Sequence, residues 1–475
     1  MKRKFITRIK SYKFKMLSGG VGRAYIKNDA ALRASNFFAG TAISITRTAG
    51  RIVIKPDVNG SKRIMNTARG ELLELRDKET AQALGGKDCM ITVTFRQNCI
   101  ILTLHHEDKN ELARANRFIA KLKSGEPLRK GSFFSGLGML AYSLQEGLKK
   151  QGINSAMAFA NDNSELAMSC NLDGNPIWDT ATDDAVAIVD DLHRLNLADL
   201  PKELDWVEIG YPCVGFSALT KADNFDLLHP HCGTLFIPLI NALKAMNPAV
   251  VTFENVPNFG TSETLSLIER ALPDYRFVQK VFDGHDFGEL ESRPRVCIMA
   301  ITKSLPAFDF DALPMPAKTT SPSISSFLNN VPHDAPVWRE MKHVKQRDDM
   351  KHIGYRNCLY TGAENQMTTI PASYGSPKAG TPMIQHPTNP DFQRQIMPDE
   401  HGRIRRLPKA LQSLVEAVWK GDTPLVSQRG NFSAAHRLLG NGVSRSIWSY
   451  MGELIGFYCN RLINPDTKMQ MELAL

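Results

Sequence analysis

With 475 residues, 43% of them hydrophobic and 23% charged, the chain is neither disordered nor fibrous and is too long for one ordinary core. No apolar run approaches the roughly 18 residues that span a bilayer. The basic start Met1-Lys2-Arg3-Lys4 is not followed by the apolar stretch and cleavage site of a signal peptide, so a cytoplasmic protein is expected.

Charge is unevenly spread. Residues 1–130 carry 27 Lys+Arg against 11 Asp+Glu, and the remainder 31 against 38. A basic front on a mildly acidic body suits a polyanion, nucleic acid being the usual one; a merely solvated basic surface is the plain alternative.

The first 127 residues read as a basic, β-rich extension. Short strands are expected at Gly22–Ile26, Thr41–Ile45 and Gly50–Ile54, with a turn at Asn36–Gly40. A hairpin follows at Met90–Phe95 and Asn98–Leu104. The order strand, short helix, glycine turn, strand, turn, strand resembles the AbrB-like swapped-hairpin modules over some 40 residues. Those modules are small dimeric DNA-binding units, so the resemblance implies DNA contact or a homodimer through the extension. A β-rich addition packed on the main body is the alternative. Residues 105–130 read as a helix and a linker ending at Pro127.

From Lys130 the rhythm changes. A short strand, Ser132-Phe133-Phe134, runs into Ser135-Gly136-Leu137-Gly138 and a helix through Gly147. Strands recur at Ala156–Ala160, Trp206–Ile209, Val250–Phe253, Tyr275–Phe282 and Val296–Ile301, with helices between most of them, Thr234–Ala245 being the clearest. Strands alternating with helices predict a wound α/β sheet. Residues 304–400 break the pattern with Pro, Gly, Asn, Asp and His. Helices return at Lys409–Trp419 and Ser446–Leu462.

Eight cysteines stand singly, at 89, 99, 170, 213, 232, 297, 358 and 459, without a Cys-x-x-Cys pair. That argues against a disulfide framework or a zinc site, and no metal is expected. Most read as small core residues. Cys213 is different, because it follows Pro212 on a loop at the end of the strand Trp206–Ile209, where a nucleophile is well placed.

Two further groups join it. Glu254 closes the next strand, and a glutamic acid there can supply the proton or hydrogen bond that nitrogen 3 of a pyrimidine needs when a thiolate adds at carbon 6. Arg293 and Arg295 precede another strand, and one guanidinium can hold the base carbonyl. At the first strand, the glycine turn lets backbone approach a cofactor, and Asp162 ends the second strand where ribose hydroxyls would lie.

In this order, Phe-Ser-Gly-Leu-Gly, Pro-Cys, Glu-Asn-Val and Arg-x-Arg, followed by Arg405-Arg406-Leu407 and Gly440-Asn441-Gly442-Val443, the chain resembles the DNA (cytosine-5) methyltransferase family over about 131–303 and 404–462. The resemblance implies a Rossmann-like S-adenosylmethionine-dependent methyltransferase sheet with a smaller, loop-rich target-recognition domain. It divides the chain into the basic extension (1–127), a catalytic domain (128–303), the recognition domain (304–400) and a helical part completing the catalytic domain (401–475).

It also implies roles. Cys213 is the nucleophile and Glu254 contacts nitrogen 3. Asn255 braces the loop, and Arg295, supported by Arg293, contacts the base carbonyl. Phe134, Ser135, Gly136, Leu137, Gly138, Asp162, Pro212, Leu235, Asn441 and Val443 line the S-adenosylmethionine pocket, and Asp179 is expected near the adenine. Met139, Val214, Glu291 and Lys409-Ala410-Leu411 depart from the usual pattern without removing a catalytic group.

The implied reaction is methyl transfer to carbon 5 of a cytosine flipped from duplex DNA, through a covalent Cys213 adduct. A sequence-specific enzyme is expected, of a restriction–modification system or a solitary methylase, working in the cytoplasm, at the nucleoid if bacterial. A transfer RNA cytosine-5 methyltransferase and a non-catalytic DNA-binding regulator are the alternatives. No membrane partner is expected.

Overall fold

In the computed structural model, which describes residues 5–217, 220, 222–345 and 358–464, the chain forms two units, Met1–Ala113 and Arg114–Leu475. The first is built on period-two alternation. Its elements are β1 (Arg8–Leu17), β2 (Val21–Lys27), α1 (Asp29–Ala34), β3 (Ala42–Thr48), β4 (Arg51–Pro56), β5 (Lys62–Arg63), β6 (Met65–Thr67), β7 (Gly70–Asp77), α2 (Lys78–Ala83), β8 (Cys89–Arg96) and β9 (Cys99–Leu104).

All nine strands pair antiparallel in the order β5-β3-β4-β9-β8-β1-β2-β7-β6. Only the buried Ile64 separates β5 from β6, which hold opposite edges, so the sheet curls until its edges meet there. Phe14, Ile26, Ile54, Leu75, Val93 and Leu102 fill the inside. Strands β2, β3, β4, β8 and β9 fall where the sequence pattern puts them. No strand is expected at β1 or β7. The stretch that resembles a swapped-hairpin module is β2, α1, β3 and β4, paired with strands of the same chain.

The division into units falls inside α3 (His106–Ser124) rather than at residue 127. The second half of this helix is tied to the second unit by its basic residues. Arg114 Nη2 lies 2.6 Å from Asp274 Oδ2, Arg117 Nη2 donates to the carbonyls of Leu204 and Asn247, and Lys121 Nζ lies 2.7 Å from Asp205 Oδ2.

The second unit is centred on β10 (Leu128–Phe133), β11 (Ser155–Asp162), β12 (Val186–Val189), β13 (Trp206–Gly210), β14 (Val250–Asn255), β15 (Tyr275–Asp283) and β17 (Pro294–Thr302), with the two-residue β16 (Glu291–Ser292) outside the sheet. The order is β12-β11-β10-β13-β14-β17-β15, parallel except for β17. The helices α4 (Met139–Lys150), α5 (Glu165–Gly174), α6 (Phe236–Met246) and α7 (Glu263–Ala271) cross between strands.

Both faces are covered, so the central strands are apolar throughout. In β14, Val250 packs into one core while Val251 and Phe253 pack into the other. The winding reverses between β10 and β13, where an open α/β sheet leaves a crevice for ligands.

Residues 304–400 supply short pieces: α8 (Lys342–Lys345), β18 (Arg339–Glu340), β19 (Leu359–Tyr360), β20 (Met367–Thr368), β21 (Met383–Gln385) and β22 (Phe392–Arg394). Ile324, Trp338, Ile370, Tyr374, Ile384 and Ile396 give them a small core of their own. Then come α9 (Pro398–Ile404), α10 (Lys409–Lys420), α11 (Phe432–Gly440) and α12 (Arg445–Ile463). The last lies along α4, with Gly147 against Gly452. A Cβ on Gly147 would stand 1.9 Å from the Ser449 carbonyl oxygen, and one on Gly452 2.3 Å from that of Leu144, so only glycine permits the approach.

Candidate active site

The turn after β10 sits at the reversal of the sheet and is strained. Phe134, Gly136 and Gly138 all have left-handed φ, at 54°, 52° and 72°. A phenylalanine there is an outlier that the surroundings must impose. They do so with side chains from α5 and the loop after it. Asn171 Nδ2 donates to Ser135 Oγ and the Gly136 carbonyl, at 3.0 and 3.1 Å, and Asn175 Nδ2 to the Leu137 carbonyl at 2.8 Å. A Cβ on Gly138 would lie 2.4 Å from Asn175 Nδ2 and 2.5 Å from Asn171 Oδ1. Neither asparagine was foreseen. They look like ordinary polar residues in Cys170-Asn171-Leu172-Asp173-Gly174-Asn175 until their partners are known.

Asp162 ends β11 beside this turn. Its Oδ2 accepts from the Gly136 amide and its Oδ1 from that of Ser164, both at 2.8 Å. Burial pushes its carboxyl up, against the pull of those backbone donors.

Asp179 lies elsewhere. It sits in a one-turn helix whose neighbour Thr180 donates to the Ser155 carbonyl, at the amino end of β11, about 20 Å along the strand from Asp162. The expectation of an adenine contact is corrected on that ground, because the glycine turn lies at the carboxyl end. Asp190 and Asp191 occupy that edge instead, directly after β12, which pairs Val189 with Asp162. Asn161 Nδ2 donates to the Ile188 and Asp190 carbonyls, both at 3.0 Å. His193 bridges Asp191 Oδ1 and Thr234 Oγ1, at 2.8 and 2.9 Å.

Cys213 opens a single helical turn after β13. Its loop rests on the ring of Tyr211, which packs against Phe134, Phe216 and Phe259 with centroids 5.4, 6.0 and 5.4 Å away. Asn255 Nδ2 donates to the Tyr211 carbonyl at 3.2 Å.

Register pairs Gly210 with Glu254, so the carboxylate stands on the adjacent strand, three residues before the cysteine's level. Arg295 Nε lies 2.9 Å from Glu254 Oε1, and both side chains are nearly buried. Burial, and next the Glu254 carboxylate, raise the Cys213 thiol above its usual range, while Arg295 and Arg293 oppose them.

Arg293 plays a different part from Arg295. Its Nη2 donates to the Gly440 and Gly442 carbonyls, at 3.0 and 2.7 Å, and thereby pins the turn bearing Asn441 and Val443. Burial lowers its pKa well below the usual value, with Arg295 and Arg405 adding to the effect. Glu291 is explained by the same cluster. Its Oε2 lies 2.9 Å from Arg405 Nε and its Oε1 accepts from the Ile370 amide at 2.6 Å, tying residues 367–370 to β16. Pro212 and Leu235 flank the loop, Leu235 at the head of α6.

A wound seven-stranded sheet with a glycine turn, an acid at the end of the second strand and a cysteine loop at the fourth defines an S-adenosylmethionine-dependent methyltransferase fold. The family model of C-5 cytosine-specific DNA methylases matches residues 128–414, and the chain belongs to that family.

Among relatives, Type II methyltransferase M.MspI of Moraxella sp is 29% identical over 133 residues, 27% of this chain and 31% of that protein. M.NlaIV of Neisseria lactamica is 26% identical over 195 residues, 38% and 43% of the two chains. M.Sau96I of Staphylococcus aureus is 23% identical over 356 residues, 69% and 75% of the two. The chain thus spans less than half of the first two relatives. The solved structure of S. pombe Dnmt2 methyltransferase shares the fold at TM-score 0.52 and 17% identity, over 70% of this chain and 99% of that one.

Proposed function

We propose that the protein transfers a methyl group from S-adenosylmethionine to carbon 5 of a cytosine flipped out of duplex DNA. The observation that carries this is Cys213 on the loop after β13, with the Arg295-paired Glu254 on the neighbouring strand β14, opposite Gly210.

The residues present fit the cofactor. Space is open over Gly136, and Asp162 offers a carboxylate at the edge where ribose hydroxyls would lie. Phe134, Gly136, Gly138, Leu235, Asn441 and Val443 would line its pocket, with Asp190 or Asp191 in the place expected for Asp179. Bound there, it supplies an electrophilic methyl.

The chain's own groups do the rest. Glu254 takes the thiol proton of Cys213 and passes it to nitrogen 3, while the sulfur forms its bond to carbon 6. That addition makes carbon 5 electron-rich. Arg295 holds Glu254 and donates to the base carbonyl, and Arg293 positions the Gly440–Val443 turn. After methylation, a solvent base takes the carbon 5 proton, the carbon 5–carbon 6 double bond re-forms as the sulfur–carbon bond breaks, and the proton on nitrogen 3 returns through Glu254 to Cys213.

Residues 304–400 form the target-recognition part and 401–464 complete the catalytic part. The test is transfer of tritiated methyl to duplex DNA and, separately, to transfer RNA. We expect label in DNA, none with Cys213→Ala, and cofactor binding nearly intact in that variant. Equal turnover without Cys213, or label in RNA alone, overturns the proposal.

A further inference from the structure

In the first unit, the outward positions of five adjacent strands carry no carboxylate. Ile52, Ile54, Val93, Phe95 and Leu102 point inward and are fully buried, which fixes the opposite parity as outward. Arg51, Thr103, Thr92 and Ser11 then form one row across β4, β9, β8 and β1. Val53, Ile101, Thr94 and Ile9 form the next. Thr48, Thr46 and Ser44 of β3 extend the face beside Arg51, Val53 and Lys55. Lys13 stands beside Met90, and Arg96 lies at the other end of β8.

The cations Lys13, Arg51, Lys55 and Arg96 are exposed, and none forms an ion pair among the described residues. Lys15, on the same side of β1 as Lys13, is paired with Asp88, and elsewhere in this unit Arg23 pairs with Glu74, Arg33 with Glu71 and Arg47 with Asp77. The carboxylates beside this face lie outside its strand positions and are engaged, Asp88 with Lys15 and the Met16 amide, Asp108 with the Met90 amide and Asp57 with that of Asn59.

A solvated sheet face ordinarily mixes both signs, and opposed pairs across strands stabilise it. This one offers cations and hydroxyls, the groups that contact nucleic-acid phosphates, around the apolar row of Val53, Ile101 and Ile9. Its extent is roughly 19 by 20 Å from strand spacing and rise, enough for several phosphates of a duplex with one charge per about 1.7 Å. Arg8 and Lys10 project as exposed charges near the open edge of β1, which disfavours addition of another sheet there.

We infer that this face of the first unit holds the sugar–phosphate backbone of duplex DNA without reading its bases. The choice of DNA rests on the methyltransferase reading; the anion contact does not.

The test uses the full chain and the fluorescence anisotropy of a short labelled duplex of random sequence, titrated between about 50 and 200 mM salt. Replacing Lys13, Arg51, Lys55 and Arg96 by Gln makes the slope of log K against log salt shallower by about 3 to 4, near 0.9 per phosphate contact. Binding at low salt falls at least about tenfold, a loss of 1.4 kcal/mol or more.

A second variant, Lys62, Arg69, Arg76 and Lys78 to Gln, removes the same charge from other faces of the unit and keeps the slope within about one. Circular dichroism melts check that both variants fold. An unchanged slope in the first variant, or an equal change in the second, overturns the inference. So does a dimer that the first set of substitutions dissolves, which assigns the face to a second copy. If the parent protein binds duplex with this pattern but transfers no methyl, the methyltransferase reading fails and the binding face stands.

Discussion

Replacing Arg405 by methionine should expose how much the Glu291–Arg405 pair matters. Both side chains are 3% exposed and their atoms lie 2.9 Å apart, where an effective dielectric near 20 gives an attraction of about 6 kcal/mol. Desolvation of the two charges offsets most of that, so the pair as a whole is worth little against an apolar pair of similar size.

Breaking it is another matter. Arg405→Met leaves the Glu291 carboxylate buried with the Ile370 amide as its one remaining donor among the described residues, and a loss of about 3 to 4 kcal/mol is expected. The double variant Glu291→Leu, Arg405→Met should lose no more than about 2 kcal/mol, less than the single substitution by roughly 1 to 2 kcal/mol. Urea unfolding followed by tryptophan fluorescence reads this cleanly, because Trp178, Trp206, Trp338, Trp419 and Trp448 all lie in the second unit. If the single substitution costs no more than the double one, the two groups are not a buried ion pair.

Two other outcomes follow from the same geometry. Gly138→Ala places a methyl against Asn171 and Asn175 at a left-handed φ costing about 1–2 kcal/mol, and the displaced turn should bind S-adenosylmethionine roughly tenfold more weakly by calorimetry; undiminished affinity removes the turn from the pocket. His401 and His436 meet through their Nδ1 atoms at 3.0 Å, and burial holds His401 well below its usual pKa and His436 down to about 3. The unfolded chain therefore binds more protons than the native one below about pH 6.5, so stability is lost as pH falls through that point, by up to about 1.4 kcal/mol per unit for each ring. His436→Phe should roughly halve that slope between about pH 5 and 6 in urea titrations, and an unaltered slope refutes the assignment.

The strands of the second unit were readable because burial on both faces leaves unbroken apolar runs such as Val250–Phe253. The edge strand β12 carries no such signal, being short and only half-buried. That gap explains the misplacement of Asp179: without β12, nothing in the sequence says which acid reaches the edge beside Asp162. In the first unit, β1 was hidden by lysines alternating with Tyr12, Phe14 and Met16, a period-two pattern that charge obscured. The cysteine, glutamate and arginine positions were legible because each follows or precedes a clear strand. The difference between Arg295, which holds Glu254, and Arg293, which holds the Gly440 turn, depends on distances across the fold, and no spacing encodes it.

The seam of Gly147 and Gly452 has a consequence for synthesis on the ribosome. The helix that leaves the glycine turn finds its cover only when α12 arrives, and the Lys150–Glu453 pair beside that seam closes 303 residues of chain. At about 5–20 residues per second, the nascent chain spends roughly 15 to 60 s with the apolar side of α4 uncovered. The front unit, whose strands pair among themselves, has meanwhile emerged complete. This order makes the packing of α4 one of the last steps in the maturation of the molecule.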